Sequence, residues 1–169
     1  MKKLLLLVAV AFTSTTVQAK DIITKQTDPE LYCLAQNAYY EARGSSRADM
    51  MAVSDVVLNR VRDGRYPNTI CDVVYQGKQK PSWKDPTKMV MVRNMCQFSW
   101  YCDGKKDNPP QGDAWHNAQM VAYEMLYLYK DANITDGATH YHAHYVRPSW
   151  AKTFISKGRV GAHFFYKQK

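Results

Sequence analysis

After its first nineteen residues the chain has no apolar run long enough to cross a membrane. It has no internal repeat, no low-complexity tract and no linker of interdomain length. No two of its four cysteines stand in C-x-x-C spacing, a common zinc-binding pattern. These absences argue against a multi-pass membrane protein, a repeat protein and a cysteine-based metal site. They favour one domain with a sizeable core.

Residues 1–19 have the pattern of a secretory signal peptide. Two lysines near the start precede an apolar run at 4–12 that is too short to span a bilayer, and residues 17–19 resemble a small-x-small cleavage site. We therefore predict a signal peptide followed by one mature domain at 20–169, with no stable membrane insertion after cleavage. An uncleaved anchor is the alternative.

The chain is basic, with 23 Lys and Arg against 15 Asp and Glu and a net charge of +8. The charge falls to +6 once the two lysines of the signal peptide are removed. Such a charge suits a polyanionic partner. Because the chain carries an export signal, we expect that partner in the anionic cell envelope and not a nucleic acid. The scattered basic residues are also compatible with solvated faces.

The cysteines fit an exported protein with two disulfides. Four cysteines permit three connectivities, and sequence alone does not choose among them. We favour Cys96–Cys102, which would close a small loop, together with Cys33–Cys71.

Hydrophobic periodicity predicts a mainly α fold, α+β with minor strand. Three long helices are expected at about 28–43, 46–61 and 113–129. The third is expected to be the central helix, because it is long and apolar all round. Residues 76–86 are rich in Lys, Gly, Pro and Ser and are predicted to form a surface loop.

One carboxylate, Glu41, lies near the end of the first predicted helix. It falls at the edge of the apolar stripe, so it should be half-buried in the last turn. Gly44 is expected to end the helix in the left-handed conformation. Partial desolvation and the negative end of the helix dipole both raise the pKa of a carboxyl group, which favours a protonated acid. The alternative is a structural ion pair with Arg43 or Arg47.

Three groups of residues compete as the functional site. The first combines Glu41 with the loop Gln97-Phe98-Ser99-Trp100, which offers an acid, hydrogen-bonding groups and aromatic faces. Sugars are bound by such groups. The chain also has 12 Tyr and 4 Trp, although aromatic side chains build cores as well.

The second group is His140, His142 and His144, which would share one face of a strand and could converge on a zinc ion of an amidase or peptidase. The tight spacing and the lack of a carboxylate within the motif argue against this. Histidines that hydrogen-bond substrate or backbone are the alternative. The third is a cysteine nucleophile with His116, His140 or His163 as base, which the even cysteine count disfavours.

Seven motifs then occur in order along the chain. They are Cys33-Leu34-Ala35, Tyr39-Tyr40-Glu41-Ala42-Arg43-Gly44, Ala52-Val53 with Val57-Leu58-Asn59-Arg60, Tyr66-Pro67 with Cys71-Asp72-Val73-Val74-Tyr75-Gln76, Cys96-Gln97-Phe98-Ser99-Trp100, Gly137-Ala138-Thr139-His140-Tyr141-His142 and His163-Phe164-Phe165-Tyr166. Over about residues 31–166 the set resembles the cell wall hydrolase family typified by the spore-cortex-lytic enzymes.

The resemblance implies a lysozyme-like, mainly α-helical single domain that cleaves peptidoglycan between N-acetylmuramic acid and N-acetylglucosamine. It implies that Glu41 is the catalytic acid. The segments around the Gln-Phe-Ser and Ala-Thr-His-Tyr motifs would form the walls of the cleft. The substrate-binding residues expected there are Gln97, Ser99, Trp100, His140, Tyr141 and His142. This chain has Ser45 where the family often has an acidic residue.

The predicted reaction is lytic transglycosylation, in which one carboxyl group acts as acid and then as base. It needs no second carboxylate, no cofactor and no metal. A hydrolytic muramidase would need a further group such as Asp55, Asp103 or Asp136, and a non-catalytic wall-binding module is the alternative of another class. We expect a secreted or periplasmic monomer that acts on peptidoglycan glycan strands.

Overall fold

The computed structural model describes residues 24–129 and 131–169, so the predicted signal peptide lies outside the described residues. Within them the chain forms four α-helices, followed in one case by a π-helical turn at Glu124–Leu128. The α-helices are α1 Pro29–Ala42, α2 Arg47–Arg62, α3 Ile70–Val74 and α4 Asp113–Tyr123. No helix of the described residues is long and apolar enough to cross a membrane.

The helix α1 is the centre of the helical part and packs against α2, α3 and α4. It begins where the Asp28 side chain accepts the backbone N–H of Leu31 and where Pro29 occupies the first turn. Leu34 and Ala38 are completely buried on its apolar stripe. The expectation that the helix from residue 113 is central is wrong.

That last helix, α4, is shorter and more exposed than its periodicity predicts. It buries Ala118, Val121 and Ala122 against α1, but Met120 and Tyr123 face solvent. Its regular part ends at Tyr123 and continues as the π-helical turn. The apolar residues on its outer face therefore do not pack into the core. Periodicity alone does not show which apolar residues of a helix have a packing partner.

Five strands make two small antiparallel sheets. The strands are β1 Gly77–Pro81, β2 Met89–Cys96, β3 His140–Ala143, β4 Ile155–Val160 and β5 His163–Lys167. The first sheet is the hairpin β1-β2, and the second has the order β3-β5-β4. The predicted surface loop at 76–86 is therefore wrong over β1. A strand exposed along most of its length has no apolar alternation to mark it, and here it is defined by its pairing with β2.

Two disulfides hold the segments around α1 in place, and their pairing matches the one favoured from the sequence. Cys33–Cys71 joins α1 to α3, and Cys96–Cys102 closes the loop that follows β2. All four cysteines are therefore bonded. A cysteine nucleophile is not available.

Candidate active site

A cleft of about 480 Å³ lies between the end of α1, the loop after β2 and the strand β3. Six of the residues predicted from the sequence line it together: Glu41, Gln97, Ser99, His140, Tyr141 and His142. Arg60, Trp150 and His163 line the cleft as well. The sequence does not predict Arg60 or Trp150 for this site, and it suggests His163 only as the base of a cysteine nucleophile.

Glu41 occupies the last turn of α1 and is half-buried, as the helical periodicity predicts. The helix ends differently from the prediction, however. The backbone N–H of Ser45 donates to the carbonyl of Ala42 at 2.9 Å, and Arg43 keeps right-handed dihedral angles. Gly44 is not among the residues with positive φ. The chain turns here without the left-handed residue that the glycine suggested.

The two arginines that could have neutralised Glu41 have other partners. Arg47 forms an ion pair with Glu124. The Arg43 guanidinium lies over the Tyr39 ring, 4.9 Å from its centroid. The structural ion pair considered as an alternative is therefore not formed, and the Glu41 carboxyl is left to the cleft.

The surroundings of Glu41 favour its protonated form. Burial raises its pKa above the usual value, and contact with Tyr141 and the charges of His163 and Arg60 offset only part of this. The Tyr141 hydroxyl is buried, and among the described residues no atom lies in good hydrogen-bonding geometry to it. Burial, followed by the charge of Glu41, raises the pKa of Tyr141 well above its usual value. Tyr141 is thus a neutral hydroxyl beside a carboxyl group.

Asp49 and His163 form a buried pair at the edge of the cleft. His163 Nδ1 lies 2.9 Å from Asp49 Oδ1, and the backbone N–H of Ala162 donates to Asp49 Oδ2 at 3.1 Å. Burial alone raises the pKa of Asp49, but hydrogen bonds from His163, Ser45 and Ala162 outweigh it and lower the pKa. Asp49 is therefore ionised, so His163 Nδ1 donates to it. The nitrogen of His163 that remains for the cleft is Nε2.

Asp49 is not among the site residues predicted from the sequence. It lies in the first turn of α2, where the Ser46 side chain accepts its backbone N–H. The Asp49 carboxylate, however, points to the β4–β5 turn and not back to Ser46. At that turn Gly161 has a φ of +55°, and a Cβ on it would lie 2.5 Å from Asp49 Cβ. The turn can approach Asp49 only because residue 161 is glycine.

Arg60 is a fixed cation at the base of the cleft. It is only 4% exposed, and its Nε donates to the carbonyl of Thr139 at 2.7 Å. Its guanidinium lies between two rings, 5.3 Å from the centroid of Tyr66 and 5.1 Å from that of Phe98. Burial lowers the pKa of Arg60, but a guanidinium stays protonated in proteins. Arg60 therefore places a positive charge near Glu41.

The histidines of β3 act as separate hydrogen-bonding groups. His142 Nδ1 lies 2.9 Å from the carbonyl of Ala143, so it carries the proton, and Nε2 accepts from the Tyr166 hydroxyl at 3.0 Å. Burial, with the charges of Arg60 and Arg65, lowers the pKa of His140 to about 4. His140 is neutral near pH 7.

His144 lies beyond the end of β3, is exposed, and pairs with the carbonyl of Ala162. His140 Nδ1 lies 3.1 Å from Thr139 Oγ1, so the three imidazoles considered for zinc each have a different local partner. Among residues 24–129 and 131–169, no group of three or more His, Cys, Asp or Glu side chains is placed to hold a metal ion.

Trp100 is the one predicted binding residue that lies outside the cleft. Its side chain is buried, its Nε1–H donates to Asn37 Oδ1 at 3.1 Å, and its ring stacks on Tyr40. The aromatic face available in the cleft belongs to Trp150, whose ring lies 5.4 Å from His140 and 5.8 Å from His142. Trp100 supports the loop, whereas Trp150 offers a surface for a ligand.

Comparison of the sequence with models of known protein families identifies the family of this chain. The model of the cell wall hydrolase family matches residues 44–166. The chain belongs to this family. The match confirms an enzyme that degrades peptidoglycan. Glu41 lies just before the matched range.

Solved structures support the fold. The catalytic domain of the Bacillus cereus SleB protein is 22% identical, with a TM-score of 0.58 over 83% of this chain and 91% of that one. The catalytic domain of the germination-specific lytic transglycosylase SleB from Bacillus anthracis is 21% identical, with a TM-score of 0.60 over 86% of this chain and 100% of that one. The predicted lysozyme-like fold is confirmed. No curated protein matches this chain.

Proposed function

We propose that this cell wall hydrolase cleaves the bond between N-acetylmuramic acid and N-acetylglucosamine as a lytic transglycosylase, with Glu41 as its single acid and base. The observation that carries the proposal is that Glu41 is the only carboxyl group among the described residues that line the cleft. Its pKa is raised by burial, which suits a general acid. The catalytic domain of the lytic transglycosylase SleB from Bacillus anthracis has the same fold.

The carboxylates that a hydrolytic muramidase would need lie elsewhere. Asp55 is completely buried and accepts hydrogen bonds from Asn59 and Thr135. Asp103 and Asp136 pair with Lys105 and Lys157 respectively, outside the cleft. Glycosidases that use two carboxyl groups hold them roughly 5–10 Å apart across the scissile bond. No described carboxylate other than Glu41 lines this cleft, which supports transglycosylation over hydrolysis.

In the proposed reaction Glu41 donates its proton to the glycosidic oxygen while the bond from that oxygen to C1 of muramic acid breaks. The sugar passes through an oxocarbenium-like transition state. The Glu41 carboxylate then accepts the proton of the C6 hydroxyl, and the C6 oxygen bonds to C1 to close a 1,6-anhydro ring. No water is consumed. Arg60 and His163, which lower the pKa of Glu41, stabilise the carboxylate between the two steps.

The other lining residues are proposed to hold the sugar. Trp150 offers a flat face for C–H groups, and Gln97, Ser99 and His140 offer hydrogen bonds. The two disulfides and the predicted signal peptide at 1–19 support export to the cell envelope, where this substrate lies.

The direct test of this assignment is Glu41→Gln, assayed on purified sacculi in a buffer containing EDTA. We expect the variant to lose activity about a thousandfold, because the amide cannot donate or accept the catalytic proton. The matched control is Glu124→Gln, which removes a carboxyl that pairs with Arg47 outside the cleft and should keep activity. A folded Glu41→Gln protein that retains more than a few per cent of activity contradicts the proposal.

A further inference from the structure

A second and larger groove adjoins the cleft. It has a volume of about 860 Å³ and shares His142 and Val146 with the lining of the cleft. Three basic side chains line it: Arg147, Lys152 and Arg159. None of the described residues that line this groove is Asp or Glu. The groove is therefore a positively charged extension of the cleft.

The basic side chains of the groove are available to a ligand. Arg147 and Lys152 are exposed, and neither forms a hydrogen bond or ion pair with any described residue. Arg159 is held in place, since its Nε donates to the carbonyl of Gly161 at 2.9 Å and its guanidinium lies over the Phe164 ring. Several exposed cations elsewhere are instead paired with carboxylates, namely Arg47, Arg65, Lys88 and Lys105.

The remaining walls of the groove are flat and partly apolar. Phe164 and Tyr166 on β5 line it, together with Pro148. Flat apolar walls beside unpaired cations suit a short peptide that carries carboxylates, because guanidinium and ammonium groups bind carboxylates by charge-assisted hydrogen bonds. A glycan strand without its peptides carries only the lactyl carboxylate of muramic acid, which lies on the sugar itself, whereas the peptide extends further carboxylates away from the sugar.

We propose that this groove binds the acidic stem peptide of the substrate. Muramic acid carries that peptide on its lactyl group, and the peptide has free carboxylates. A muramic acid placed beside Glu41 would send its peptide out of the cleft, and the groove opens from the cleft at His142 and Val146. This inference rests on the proposed function, since it names a further part of the same substrate.

The test compares soluble glycan strands that carry stem peptides with the same strands after an amidase has removed the peptides. The parent enzyme should cleave the peptide-bearing strands with the higher kcat/KM. In the double variant Arg147→Gln/Lys152→Gln the ratio of the two kcat/KM values should fall roughly fivefold, as expected for two exposed charge pairs. Arg159 is left intact because it supports the turn at Gly161.

The matched control is Lys78→Gln/Lys80→Gln, which removes two exposed positive charges from β1 and should leave the ratio unchanged. An unchanged ratio in the groove variant, an equal loss on both kinds of strand, or the same fall in the control overturns the inference. A parent enzyme that cleaves both strands equally also overturns it while the proposed function stands. If the unsubstituted enzyme cleaves neither kind of strand, both this inference and the proposed function are overturned.

Discussion

The two walls of the cleft are built in opposite ways. The helical wall carries charges on buried residues, with Asp49 completely buried and Arg60 only 4% exposed. The wall around β3 carries neutral rings on half-buried residues, of which His140 and Trp150 are examples. A rigid interior holds charges in a low-dielectric environment, from which Arg60 acts on Glu41 directly and Asp49 acts through the orientation of His163. The half-open wall leaves flat faces and polar edges for a sugar.

Because of this difference, we expect one wall to support the chemical step and the other to bind the substrate, and substitutions can distinguish these two roles. Changes in the helical wall should act on the chemical step and therefore on kcat. Changes in the wall around β3 should act on binding and therefore on KM. His163 links the two walls, since it lies on β5 but is oriented by Asp49 of α2.

The largest effect among the supporting residues is expected for Asp49→Asn. The asparagine cannot provide the negative charge that orients His163, so kcat should fall by about 10- to 100-fold, as when a group in an active site is misplaced by about 1 Å. The loss of a buried ionic hydrogen bond should also lower the free energy of unfolding by about 2–3 kcal/mol. Steady-state kinetics on soluble glycan strands and urea denaturation measure the two effects.

Two glycines provide an independent check on this prediction. Gly161→Ala would push a Cβ against Asp49, whereas Gly158 also has a positive φ, of +88°, but a Cβ there would meet nothing within 4 Å. Gly161→Ala should therefore lower kcat in the same way as Asp49→Asn, and Gly158→Ala should not. Equal kcat values for the two glycine variants would contradict a role for the Asp49–His163 pair.

A smaller effect, on KM, is expected for Trp150→Ala in the wall around β3. Loss of one aromatic face should raise KM roughly fivefold, equivalent to about 1 kcal/mol of stacking, with kcat changed by less than about twofold. Trp83→Ala is the control, because Trp83 is 87% exposed and lies outside the cleft. A fall in kcat without a rise in KM would mean that Trp150 belongs to the chemical step instead.

The smallest effect concerns stability and pH. Because burial raises the pKa of folded Glu41, the folded state loses stability as pH rises from the unfolded value of about 4.3 through the folded pKa. Glu41→Gln removes this loss, so the variant should become increasingly more stable than the unsubstituted protein as pH rises.

Asp49 has a lowered pKa and should show the opposite trend, because its contribution to the free energy of unfolding is lost as pH falls. Urea denaturation on both sides of about pH 4 tests both signs, with the Glu41 trend expected above this pH and the Asp49 trend below it. A stability difference between Glu41→Gln and the unsubstituted protein that does not change with pH would contradict a raised pKa of Glu41.

The sequence predicts those parts of the molecule that depend on local periodicity. The start of α1 at Pro29, its buried stripe and the edge position of Glu41 all follow from 3.6-residue spacing and helix capping. The family motifs also correctly predict that Gln97 and His140 line the cleft. Each of these features is decided by residues close in the chain or by a known family pattern.

The features that escaped prediction depend on distant contacts. Asp49 and His163 are 114 residues apart, and either alone looks ordinary, the first as a helix cap and the second as one of five histidines. Arg60 reaches the cleft only because α2 packs under Thr139. The exposed strand β1 is defined by its partner β2 and not by its own composition.

The most direct test of the central claim is mass spectrometry of the muropeptides that the enzyme releases from sacculi in ¹⁸O-labelled water. If Glu41 acts alone as acid and base, the products will end in 1,6-anhydro-muramic acid and will contain no ¹⁸O. Reducing ends that carry ¹⁸O would show that water attacks C1. They would contradict transglycosylation by a single carboxyl group.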